Sequence, residues 1–275
     1  MFLEYIKSLI LGIVEGITEW LPISSTGHMI LVNELMKTGD GFFGSQIYLY
    51  VIQLGAILAI ATLYFKKLNP FSPSKTKEEK RATWDMWFKV IAACIPAAVI
   101  GLLFNDYMDA ISTPAVVSAT LIIYGIAFIL IERRNKKASV TDMNQMTCKT
   151  ALLIGLFQVL SIIPGTSRSG STILGAILIG CSRELAAEFS FFLAIPVMFG
   201  VSFLKIITND YAMTANEWGL LIVGMLVAYI VSMMAVKFLV NYVRRHDFKV
   251  FGYYRIILGA IVLIYSLISG TAMSV

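Results

Sequence analysis

The sequence predicts an all-α polytopic membrane protein with about six transmembrane helices and two re-entrant helix–loop–helix hairpins. Three observations predict it. Of the 275 residues, 58% are hydrophobic and only 14% are charged, against roughly half and a quarter in soluble domains. Several windows of about 18 to 20 residues carry almost no charge. Two further apolar stretches are broken in the middle by proline, glycine and hydroxyl residues. This balance excludes an ordinary soluble enzyme, a disordered chain and a nucleic-acid binder. The runs are continuously apolar rather than alternating, which argues against a β-barrel. Residues 2–23 carry Glu4, Lys7, Glu15 and Glu19 and show no small-residue cleavage pattern, so no removable signal is expected. Cys94, Cys148 and Cys181 imply no disulfide framework.

Spans are expected at about 47–65, 86–104, 114–132, 186–208, 217–236 and 250–270. Regions 2–36 and 148–181 differ. The first breaks at Leu21-Pro22-Ile23-Ser24-Ser25-Thr26-Gly27-His28, the second at Ile163-Pro164-Gly165-Thr166-Ser167-Arg168-Ser169-Gly170-Ser171-Thr172. Proline and glycine end a helix there, and the freed backbone is tolerated at membrane depth only inside protein or water. Each region therefore reads as a hairpin.

Charge gives the orientation. Segments 66–81, 133–149, 182–188 and 237–249 hold 6, 5, 1 and 4 Lys/Arg, together 16 of the 22. Segments 37–46, 105–113 and 209–217 hold one lysine between them, with Asp40, Asp106, Asp109, Asp210 and Glu217. The basic set is expected on the cytoplasmic side, with both termini outside. Lys205 is the awkward charge and is expected to snorkel. Phe42 and Phe43 are expected at the outer interface, Trp84 and Trp87 at the inner one.

The breaks also repeat. Pro22, Ser24 and Ser25 align with Pro164, Thr166 and Ser167 at an offset of 142, and each hairpin precedes three spans. The hairpins enter from opposite sides. The expectation is one membrane domain, 1–275, built of inverted repeats at about 1–140 and 141–275, with the breaks meeting near the midplane.

The breaks carry the chemistry. Glu15 and Glu19 share a helical face. Buried carboxylates repel unless a proton or cation sits with them, and hard cations such as Mg²⁺ or Ca²⁺ prefer such oxygens. His28 follows Ser24, Ser25 and Thr26 within a turn, which suits a base-activated nucleophile. Arg168 offers a planar fork of donors for phosphate. Gly165 and Gly170 let the backbone approach a ligand, and a helix starting near Ser169 would aim N–H groups at an anion. A structural ion pair between Arg168 and Glu19 or Glu15 is compatible with that reading. Gln158 lies one turn before the second break, as a polar neighbour of the site. Together these groups suit metal-assisted phosphoryl transfer on a lipid phosphate.

The stretches Glu15–His28 and Pro164–Thr172 resemble the two signature motifs of bacterial undecaprenyl-pyrophosphate phosphatases, the bacitracin-resistance proteins. The resemblance covers nearly the whole chain. It implies hydrolysis of undecaprenyl diphosphate to the monophosphate and inorganic phosphate, which recycles the lipid carrier for cell-wall polymers and confers bacitracin resistance. It implies a multi-pass protein of the bacterial cytoplasmic (inner) membrane, with its site open to the outer face. By the matching motifs, Ser25 attacks phosphorus and His28 manages its proton. Glu19 and Glu15 hold the divalent cation or assist proton transfer. Arg168, with Ser24, Thr26, Ser167, Ser169 and Thr172, binds the diphosphate. Attack by serine or by water stays open. The expected partners are the substrate, membrane lipids and a second copy in a homodimer. The alternative is a lipid-phosphate transporter or flippase using the same anion site.

Overall fold

The computed structural model describes residues 1–38, 41–208 and 213–269, with the side chains of 105–110 outside that description. Asp40, Asp106, Asp109 and Asp210, which the charge count sets on the outer side, lie among the undescribed groups. The described residues are helical throughout, apart from turns and an isolated bridge between Val140 and Cys181.

The first half holds α1 (Phe2–Thr18), α2 (Ser25–Met36), α3 (Gln46–Leu63), the short α4 (Phe65–Leu68), α5 (Lys77–Ala110) and α6 (Pro114–Arg133). The second holds α7 (Cys148–Val159), α8 (Arg168–Ile179), α9 (Arg183–Ile207), α10 (Ala215–Val243) and α11 (Lys249–Ser269). Six of these, α3, α5, α6, α9, α10 and α11, are long and apolar enough to cross a membrane among the described residues, at the positions expected. Helices α1, α2, α7 and α8 have 17, 12, 12 and 12 residues. At 1.5 Å per residue the 12-residue arms reach only about 18 Å, so they stop part-way. Large side chains such as Leu102, Ile123, Ile257 and Leu267 are more than 60% exposed, as on a surface made for lipid rather than water.

Helix starts follow the side-chain capping rule. Ser45, Thr113, Thr147 and Ser182 accept N–H groups in the first turns of α3, α6, α7 and α9, and Thr214 with Glu217 closes a reciprocal capping box on α10.

Packing interleaves the halves. Helices α1 and α3 lie on α10, α7 and α9 lie on α5, α3 meets α9, and α6 meets α11. Glycines allow close approaches between helices. A Cβ at Gly12 of α1 would sit 2.6 Å from the Gly224 carbonyl of α10, and one at Gly155 of α7 would collide with the backbone of Ala93 on α5. These positions are 155 − 12 = 143 residues apart. The main core runs through Trp20, Phe128, Phe189, Phe191, Phe192 and Phe248. A smaller core joins Leu11, Tyr48 and Ile52. Phe43 belongs to that second core, 7% exposed and edge-on to Tyr48 at 5.1 Å. Its ring therefore packs inward on Tyr48. Lys205 reaches Gln46 Oε1 at 2.8 Å. Far from the breaks, Arg183 forks onto the buried Glu132 at 3.0 Å through Nε, and the Phe248 N–H donates to the same carboxylate at 3.2 Å. That clamp joins α6, α9 and the start of α11.

Gly155→Leu should lower the thermal unfolding midpoint in detergent, with a cost of about 3 kcal/mol or more, because overpacking here meets backbone rather than a movable side chain. An unchanged midpoint would mean that α7 and α5 are not in close contact.

Candidate active site

Both breaks are built the same way. Ser24 (φ 73°) and Ser167 (φ 72°) take a left-handed backbone that is uncommon for a residue with a Cβ. Each caps the helix that follows. Ser24 Oγ accepts the Gly27 N–H at 3.3 Å, and Ser167 Oγ accepts the Gly170 N–H at 3.1 Å. The structural equivalents are thus 167 − 24 = 143 apart. The prolines of the two breaks, Pro22 and Pro164, are 142 apart. The second loop carries one extra residue between its proline and its cap, with Gly165 at φ 82°. Ser24 therefore matches Ser167 rather than Thr166, and Ser25 matches Arg168.

That shift explains the geometry. Ser25 and Arg168 are each the first residue of a 12-residue helix, and both reach one carboxylate. Ser25 Oγ donates to Glu19 Oε2 at 2.9 Å. Arg168 Nη2 donates to Glu19 Oε1, also at 2.9 Å. Glu19 is 7% exposed and Arg168 11%, so little water screens the pair. The first N–H groups of each helix have no intrahelical partner, and both helix dipoles favour negative charge here.

Neighbours hold Arg168 still. Its Nη1 donates to the Ser190 carbonyl on α9 at 2.8 Å, and its guanidinium lies 5.7 Å from the buried Trp20 ring. Its Nε is buried without a partner. Ser169 donates to the Glu19 carbonyl at 3.2 Å, and Thr172 shares a hydrogen bond of 2.6 Å with Ser190. Ser24, Ser169 and Thr172 are buried and engage protein partners, whereas Ser25, Thr26, Ser167 and Arg168 keep some exposure. Gln158 is buried, and neither atom of its amide has a partner.

His28 sits elsewhere than expected. Its Nδ1 is 2.7 Å from the Ser24 carbonyl and its Nε2 is 2.6 Å from the Tyr254 hydroxyl. Both ring nitrogens are taken, and neither is taken by Ser25.

Sequence reasoning missed Arg255. It is fully buried on α11, donates through Nη1 to the Pro22 carbonyl at 3.2 Å, and through Nη2 to the carbonyls of Gly165 (3.1 Å) and Thr166 (2.9 Å). One guanidinium thus ties the first break to the second. The signal was an arginine in the middle of an apolar span, where a charge is expensive and has a job. Ser190 carried no such signal.

Glu15 offers a hard cation an open carboxylate oxygen. Among the described residues, no group of three or more His, Cys, Asp or Glu surrounds a point. Glu15, four residues from Glu19, is 2% exposed and its Oε1 has no partner. That orphaned oxygen fits a hard cation held by one or two carboxylates and completed by substrate phosphate and water.

Comparison with known proteins places the chain in a family. The family model described as "Bacitracin resistance protein BacA" matches residues 8–261. The chain belongs to that family. It is 57% identical to the undecaprenyl-diphosphatase of Enterococcus faecalis over 98% of this chain and all of the relative. It is 55% identical to the protein of that name in Lactobacillus delbrueckii subsp. bulgaricus, over 97% of this chain and 99% of the relative. For the one in Streptococcus thermophilus the figures are 54%, 96% and 93%.

Arg255→Met should cost about 2 kcal/mol of stability, since three carbonyls lose their donor and intramembrane hydrogen bonds are individually modest. Thermal unfolding in detergent checks this. A stability equal to wild type would mean the breaks hold together without it.

Proposed function

We propose that the chain is an undecaprenyl-diphosphatase. It hydrolyses undecaprenyl diphosphate to undecaprenyl phosphate and inorganic phosphate, recycling the carrier for wall polymers and conferring bacitracin resistance. The near-full-length identity to enzymes of that name supports the activity. The observation that carries the mechanism is the shared carboxylate, with Ser25 on one oxygen of Glu19 and Arg168 on the other.

The reaction divides into two displacements. Ser25 Oγ attacks the terminal phosphorus, its proton passes to Glu19 Oε2, and the bridging P–O bond breaks to release undecaprenyl phosphate. Water then attacks the phosphoserine and gives up a proton towards His28, the Ser25–phosphorus bond breaks, the proton held on Glu19 returns to Ser25 Oγ, and inorganic phosphate leaves. Glu19 rather than His28 is the first acceptor in this scheme, because the Ser25 hydroxyl already points at it. Arg168 and the two helix N-termini stabilise the equatorial oxygens. Glu15 and Glu19 would hold Mg²⁺ or Ca²⁺ once phosphate is bound, and the cation would neutralise charge on the diphosphate.

We further propose inverted repeats in the cytoplasmic membrane, with the site open to the outer face. The reciprocal packing of α1 on α10 and α7 on α5, and the matched caps, support the repeat. The basic loops support the orientation.

Ser25→Ala should reduce phosphate release from the detergent-purified protein by about 10³-fold or more while substrate still binds. Chelator should abolish release. If Ser25→Ala retains full activity, the nucleophile is water. If the folded wild type releases no phosphate yet moves the lipid across reconstituted vesicles, the protein is a transporter.

The cysteines test orientation. Cys148 is exposed at the start of α7. Cys181 is buried, and burial pushes its thiol up to about 11. An impermeant maleimide at pH 8 should label Cys148 from the cytoplasmic side only, and Cys181 from neither. Labelling of Cys148 from outside would invert the topology.

A further inference from the structure

The geometry points to the hydroxyl of Tyr254 on α11 as the group through which His28 exchanges protons. This rests on the phosphatase reading above and deepens it.

The argument starts from what each atom can do. The Ser24 oxygen 2.7 Å from His28 Nδ1 is a backbone carbonyl, which only accepts. Nδ1 must therefore carry the proton. In the neutral ring, Nε2 is then the acceptor, and its lone pair is the only basic site left. The Tyr254 hydroxyl stands 2.6 Å from that nitrogen and donates to it. When the ring is protonated, the same hydroxyl accepts from Nε2–H. The pair thus survives both protonation states of His28, as a proton-exchanging group requires.

Packing alone does not account for the tyrosine. The two rings are nearly parallel at 7°, but their centroids are 5.5 Å apart, wider than a face-to-face stack. It is the hydroxyl that reaches the imidazole. Tyr254 is also 44% exposed and so fills no core position that demands its shape.

Its position is set by the next residue. Arg255 is tied to the Pro22, Gly165 and Thr166 carbonyls, which pins this turn of α11 against both breaks. Tyr254 therefore meets His28 from a rigid support, across 226 residues of sequence. A site built on rigid elements aims its groups more accurately than one built on loops. With Nδ1 on the Ser24 carbonyl and Nε2 on Tyr254, a proton enters or leaves the ring by way of the Tyr254 hydroxyl, which takes one proton as it gives another.

The test compares Tyr254→Phe with Tyr254→Ala and reads two signals. In a His246→Gln background, ¹⁵N-histidine NMR reports His28 alone. Wild type should show a proton-bearing Nδ1 and a hydrogen-bonded, proton-free Nε2, and Tyr254→Phe should move the Nε2 resonance toward the value of a free imidazole nitrogen. Phosphate release should lose about tenfold in kcat in Tyr254→Phe with KM nearly unchanged, and Tyr254→Ala should be no better. A merely structural tyrosine would be rescued by phenylalanine. Full activity in Tyr254→Phe, or an unmoved Nε2 resonance, overturns the inference while leaving the phosphatase intact. A folded wild type without phosphatase activity overturns both, whatever the spectrum shows.

Discussion

The site depends on one ion pair crossing between two halves of the chain. Glu19 ends the first helix of one hairpin and Arg168 begins the second helix of the other, 149 residues away in sequence. Each would be costly alone in a low-dielectric interior. Together they form a neutral unit on which the two broken helices meet. Ser25 is then fixed by the remaining carboxylate oxygen, and Arg168 by the Ser190 carbonyl. Removing either charge would strand the other, so the contact that assembles the site is also the one that tunes it.

The second support is the backbone of the breaks. Ser24 and Ser167 hold strained left-handed conformations and start two helices that converge on Glu19. The loops have no sheet or helix to satisfy their carbonyls, so Arg255 supplies the donors. Strain of this kind persists only where the surroundings over-determine it. Here they do so through a cap on one side and a guanidinium on the other. What results is two helix N-termini, an arginine and a serine gathered on one carboxylate.

Much of this was legible in the sequence because bilayer physics restricts it so strongly. An apolar run of the right length admits only a helix, and a proline–glycine–hydroxyl interruption admits only a break. The six long helices and both hairpins fall where the sequence put them. Glu19, Ser25 and Arg168 were identifiable as costly or reactive groups in the breaks. What failed was register and partnership. The prolines of the two breaks are 142 apart, whereas the caps Ser24 and Ser167 are 143 apart, since a cap is fixed by its helix and a proline by its loop. His28 was paired with Ser25 by proximity along the chain, but the nearer chemistry was the Ser24 carbonyl and, from α11, Tyr254. Arg255 was absorbed into a hydropathy window that averages a single charge away. Long-range partners are set by packing, which no local pattern encodes.

The most direct test of the account is a double-mutant cycle on phosphate release between Glu19→Gln and Arg168→Met, each protein first shown to be folded in detergent. If one carboxylate joins the two breaks into a single site, the losses are strongly non-additive. Either single substitution then costs nearly as much as both together, with a coupling well above about 1 kcal/mol. Losses that simply add would show that Glu19 and Arg168 act independently, and would contradict a site assembled by their contact.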